Sequence, residues 1–145
     1  MQFRALAAVV ISCLFWLASW TIAPPAFALI QIKLFDLSYH DCPPELAEGN
    51  VTSDGSGATA NCFIVAGKAE NKSGKLVYDA DVYGRVYDAN NNSILENRSR
   101  LGLISEIPPG VSDFEIRISV PADQPTPLKL EQFKAAGFAG TVRRY

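Results

Sequence analysis

Phe114, Ile116, Ile118 and Val120 alternate with Asp113, Glu115 and Arg117. That two-residue period leaves the stretch from Val111 to Val120 one regular conformation in which its apolar side chains share a face, an extended strand. The pattern recurs along the chain. Ile30, Ile32 and Leu34 alternate with Gln31 and Lys33 in a run that reaches Tyr39 and is ended by Cys42-Pro43-Pro44. Residues 62–70 read as a second strand, and Asn71-Lys72-Ser73-Gly74 as a turn. Residues 76–88 read as the longest strand. Its core face carries Leu76, Tyr78, Ala80, Val82, Gly84 and Val86, and its outer face Val77, Asp79, Asp81, Tyr83, Arg85 and Tyr87. Ala89-Asn90-Asn91-Asn92 is a hairpin turn, because Asn tolerates positive φ. The chain returns from Ile94 to Ile104 with Leu95, Leu101 and Leu103 on one side and Glu96, Arg98 and Arg100 on the other. Ile107-Pro108-Pro109-Gly110 makes a rigid corner. Residues 128–136 fit either a short helix capped near Gly137 or a strand, and Phe138 to Tyr145 fits a closing edge strand. Six or seven short strands separated by turn signals predict an all-β chain folded as a two-sheet β-sandwich. The expected core includes Ile64, Val82, Val86, Leu101, Phe114, Ile116 and Ile118.

The first 28 residues stand apart from this pattern. A basic start ending in Arg4 precedes an uncharged run from Ala5 to Ile22, a Pro24-Pro25 break and the small-x-small triplet Ala26-Phe27-Ala28. That order is how an export signal helix with a cleavage site reads. Cleavage after Ala28 leaves one domain, residues 29–145, with no further apolar segment of membrane-spanning length. The alternative is an uncleaved N-terminal helix that anchors the domain. Net charge is −2 for the whole chain and −3 once Arg4 is lost, with Lys and Arg scattered, which excludes a basic nucleic-acid binder. Cys13 leaves with the signal, so Cys42 and Cys62 remain as an even pair in an oxidising compartment. They flank a Gly-, Ser-, Asn- and Asp-rich segment that cannot hold itself by burial, which predicts a disulfide between them.

Val82-Tyr83-Gly84-Arg85-Val86-Tyr87-Asp88 followed by a turn, and Ile107-Pro108-Pro109-Gly110 before an inward Phe114, resemble the FxLyD-type domains. So does Gly67-Lys68-Ala69-Glu70-Asn71, with a Gly-x-x-x-Asn strand end. The resemblance covers about residues 67–120 and departs from the pattern at Gly84 and Val86, which stand where the name-giving Phe and Leu belong. Asn residues also replace the usual Gly of the hairpin. The resemblance implies a small extracytoplasmic immunoglobulin-like sandwich without enzymatic activity. The Pro-Pro-Ala-Phe-Ala signal end is similar to those of cyanobacterial periplasmic and thylakoid-lumen proteins, which implies one of those two compartments.

Candidate chemistry is sparse. His40 stands beside Asp41 and Cys42, but a Cys–His nucleophilic pair needs a free thiol. Asp88-Ala89-Asn90-Asn91-Asn92 begins like a calcium loop, yet Ser93 and Ser99 occupy the places that need Gly and Glu. Asp79 and Asp81 share an outer face, where a weak cation site competes with simple solvation. No phosphate loop, zinc spacing or nucleophile elbow is present, so no cofactor, metal or catalytic residue is expected. Tyr83, Arg85 and Tyr87 form an outward row, with Arg98 and Arg100 expected beside it. Tyr and Arg are enriched at protein interfaces, although the same residues also serve cross-strand pairing that only supports a sheet. The sequence therefore predicts a non-enzymatic binding or assembly module that contacts a larger protein complex in the periplasm or thylakoid lumen, with a membrane-associated complex among the candidates. The alternative is a small ligand- or cation-binding sandwich.

Overall fold

The computed structural model describes residues 2–19, 28–52, 55–95 and 100–140. After helix α1 (Gln2–Ser19) come β1 (Leu29–Asp41), the single-turn α2 (Pro44–Ala47), β2 (Ala60–Asn71), β3 (Val77–Tyr87), β4 (Ser93–Leu95), β5 (Arg100–Ile107), β6 (Gly110–Pro121) and β7 (Lys129–Phe138). The chain is all-β and sandwich-like, as its alternation requires. Its two layers are hydrogen-bonded into one curled antiparallel sheet of order β4-β3-β7-β1-β2-β6, in which β5 also pairs with β3. The link between layers is β7 against β1, from Leu29 opposite Phe138 to Lys33 opposite Lys134.

Three residues bend this sheet. Asp36 in β1 (φ 52°), Asp79 in β3 (φ 47°) and Gln132 in β7 (φ 53°) take left-handed backbone inside strands. Each sits where the pairing register slips by one, between Phe35 and Ser38 against β2 and at two places between β3 and β7. An extra residue on one strand of a pair bends that strand and increases its twist. It also reverses the alternation of faces. In β1 the inward residues are Ile32 and Leu34 before the bulge, and Leu37 and Tyr39 pack on the core after it.

The bulges account for most departures from the expected facing. Ala80, Val82, Gly84 and Val86 lie buried as predicted, but before Asp79 the inward residue is Val77, while Leu76 and Tyr78 are only half-buried. In β5 a slip falls opposite Val82 and Tyr83, so Leu101 packs on the core half-buried but Leu103 is exposed while Ile104 and Ile107 are buried. Residues 129–136 are strand, not helix, Phe138 ends β7, and residues 141–145 of the expected closing strand lie outside the described residues. Ile64 is a separate correction. It lies between His40 and Arg117 in register, on the outer side, and Phe63 and Val65 take the core positions. Because residues 62–66 are apolar on both faces, alternation does not fix which of them points inward.

Gly84 is a place where only glycine fits. A Cβ there would stand 2.4 Å from the Phe133 ring, which the bulge at Gln132 has turned onto the core face. Gly102 likewise lets β5 approach β6, since its Cβ would stand 2.9 Å from the Cβ of Ile116. At the far end Asn71, 2% exposed, donates its amide to the carbonyls of Lys75 at 2.7 Å and Ile107 at 3.0 Å. It accepts from the Ser73 amide and hydroxyl, so a buried polar side chain is fully satisfied.

β6 carries no bulge and pairs with β2 without a slip from Ala60 opposite Pro121 to Asn71 opposite Gly110. Phe114 is buried and Arg117 exposed on this same strand. Truncating Phe114 to Ala is expected to cost about 3–5 kcal/mol. Truncating Arg117 to Ala is expected to cost less than about 0.5 kcal/mol. Denaturant midpoints of the two variants check this, and equal losses would contradict the facing.

Candidate interaction face

The inner side of β3 is filled by Ala80, Val82, Gly84 and Val86, so strand alternation places Tyr83, Arg85 and Tyr87 together on the outside. Tyr83 and Tyr87 are half-buried and Arg85 is exposed. Tyr83 stands opposite Arg100 of β5 on one side and Lys134 of β7 on the other. Arg85 faces Glu131, and Tyr87 faces Lys129. Within the row, Nη1 of Arg85 donates to the Tyr87 hydroxyl at 3.4 Å, a long and weak hydrogen bond. Arg100 Nε lies 2.9 Å from Asp81 Oδ1, an ion pair not aligned as a hydrogen bond. The predicted Tyr83, Arg85, Tyr87 and Arg100 thus do share one face, whereas Arg98 lies outside the described residues.

Sequence reasoning missed the other half of this face. Lys129, Glu131 and Lys134 come from β7, whose strand character the alternation does not reveal, and Lys33 from β1 lies directly opposite Lys134. The Asp79 and Asp81 pair is altered too. Asp79 occupies a bulge, and the Asp81 carboxylate has Arg100 beside it. Among the described residues no group of three or more His, Cys, Asp or Glu side chains is gathered closely enough to hold a metal ion.

The hairpin beyond Tyr87 is organised by one buried carboxylate. Asp88, 2% exposed, accepts from the backbone amides of Asn90 and Asn92 at 2.8 Å each and from the Asn92 side chain at 3.0 Å. Asn91 takes positive φ and accepts a hydrogen bond from Lys129, which ties the turn to β7. Burial pushes the Asp88 carboxyl up, but the Asn92 amide and side chain, the Asn90 amide and the Lys129 charge together hold it below its ordinary 3.8. A carboxyl with a lowered folded value stabilises the fold above its unfolded value, and this stabilisation is lost as pH falls through the folded value. Wild-type protein is therefore expected to lose melting temperature faster than Asp88→Asn between about pH 5 and pH 2, read by circular dichroism melts across that range. Parallel curves would reject the assignment.

At the opposite corner Cys42 and Cys62 are joined in a disulfide with Cα atoms 5.4 Å apart. The Cys42 amide also donates to the Cys62 carbonyl at 3.1 Å, continuing the β1–β2 ladder. Both sulfurs are bonded, so the exposed His40 has no thiol there to activate. A cleft of about 390 Å³ lies beside the bridge, between Asp41, Ala47, Phe63 and Thr126. The disulfide is compatible with an oxidising extracytoplasmic compartment. Among the described residues no helix is long and apolar enough to cross a membrane. Replacing both cysteines by Ser is expected to lower stability by about 3 kcal/mol, the loop-closure value for a ring of this size. Urea titrations of the oxidised wild type and the double variant measure it, and coincident midpoints would mean the loop needs no crosslink.

Compared with protein-family models, curated proteins and solved structures, the chain matches none.

Proposed function

We propose that residues 29–145 form an exported, non-enzymatic binding or assembly module that docks on a larger protein complex in the periplasm or thylakoid lumen. Docking uses the outer face of β3 and its neighbours. One observation carries this reading. A strand whose inner side is complete also places Tyr83, Arg85 and Tyr87 in a row outside, flanked by Arg100. Aromatic and Arg side chains of this kind carry much of the affinity at interface centres. The resemblance to extracytoplasmic FxLyD-type domains and the signal-like residues 1–28 support the compartment. The cleft beside the disulfide favours a second reading, a small-ligand domain, and a ligand bound there raises the melting temperature of the folded state.

The triple variant Tyr83→Ala, Arg85→Ala, Tyr87→Ala separates interface from structural support. It is expected to melt close to the wild type while its recovery of the native complex falls at least tenfold, equivalent to about 1.4 kcal/mol. Early melting would make the row structural. Unchanged folding with unchanged recovery would place the interface elsewhere. Intact mass of the native protein, with Leu29 as first residue, checks the export half of the proposal.

A further inference from the structure

The curled sheet sets four strands side by side so that one row runs across the outer face: Arg100 of β5, Tyr83 of β3, Lys134 of β7 and Lys33 of β1. At one end of the row two lysines stand directly opposite each other on adjacent antiparallel strands. Like charges in that position destabilise a sheet. Among the described residues neither Lys33 nor Lys134 makes an ion pair. The nearest acid in register, Glu70 opposite Lys33, makes its ion pair with Lys72 instead, at 3.6 Å. Asp81 has Arg100 beside it, and Glu131 stands opposite Arg85. Lys33 reaches instead over the Phe35 ring, 5.8 Å from its centre. The lysine pair thus has Tyr83 beside Lys134 across the strands and Phe35 beside Lys33 along β1.

Resting on the interface reading above, we infer that the Lys33–Lys134 pair receives the acidic side chains of an extended segment of the partner protein. Strands are spaced about 4.8 Å apart, so Arg100 to Lys33 spans roughly 14 Å, the length of four to five extended residues. Carboxylates meeting Lys134 and Lys33 remove the repulsion that the isolated domain carries, and Tyr83 and Phe35 cover the apolar parts of such a segment. A protein segment fits better than an anionic lipid surface. Lipid recruitment uses clusters of about 4–8 basic residues unbroken by acids, whereas here Asp81 and Glu131 are set among the cations of the face and the chain is net acidic.

The pairing predicts opposite effects of one substitution on folding and on binding. Lys134→Glu places a carboxylate opposite Lys33, so it is expected to raise the melting temperature by a few degrees. The same change is expected to weaken binding of a fluorescein-labelled Glu/Asp hexapeptide by tenfold or more, because it sets like charges across the contact. Lys33→Glu is expected to do the same, and wild-type binding is expected to weaken as salt rises. Retained peptide affinity in the folded Lys134→Glu variant overturns the inference. So does wild-type protein that ignores the peptide, including protein that instead sediments with phosphatidylglycerol vesicles. Loss of the native complex by the Tyr83, Arg85, Tyr87 triple variant but not by Lys134→Glu discards this inference alone. Loss by neither discards the interface reading itself.

Discussion

The sheet curls because Asp36, Asp79 and Gln132 each accept a left-handed backbone inside a strand. These residues lie on β1, β3 and β7, which are neighbours in the middle of the strand order. Left-handed backbone costs an L-residue about 1–2 kcal/mol. Burial on the concave side offsets that cost, since Val65, Val77, Val82, Val86 and Ile107 are fully enclosed there. Without the bulges the alternation of β7 would run unbroken, and Phe133 would not share a face with Ala135 and Leu128 together. The glycine at position 84 is the counterpart of that arrangement, because Phe133 occupies the volume its side chain would need.

The same bends assemble the outer face. β3 receives β5 and β4 along one edge and β7 along the other, so its outer row has neighbours on both sides. Tyr83 and Tyr87 are half-buried by those neighbours, and a side chain held on a strand of a closed core keeps its position. The hairpin adds a further constraint through Asp88, whose hydrogen bonds fix the turn that follows Tyr87. Rigid presentation of aromatic and cationic groups lowers the ordering cost of association.

How much of this the sequence reveals depends on where the bulges fall. Phe114, Ile116, Ile118 and Val120 were readable because β6 has none. The outer row from Tyr83 to Tyr87 was readable because it begins beyond Asp79. Along β7 and the residue before it, the buried side chains Leu128, Phe133 and Ala135, with Leu130 packed against them, are spaced by two, three and two residues. That spacing fits neither strand nor helix cleanly, so Lys134 could not be assigned a face. The Cys42–Cys62 bridge was readable from compartment and loop composition, two signals independent of strand phase. The juxtaposition of Lys33 with Lys134 was not, since it depends on a pairing between the first strand and the last.

Asn71 ties the end of β2 to the turn at Lys75 and to the end of β5 at Ile107, and it does so with its whole side-chain amide. Asn71-Lys72-Ser73 is also an acceptor sequence for N-linked glycan. The two uses exclude each other. In the folded domain the amide nitrogen is enclosed and already donates two hydrogen bonds, so a glycosylating enzyme meets it only on the unfolded chain. A sugar attached at that moment leaves the amide one N–H, too few for both the Lys75 and Ile107 carbonyls. In a secretory pathway that glycosylates during translocation, folding and modification therefore compete for the same amide nitrogen.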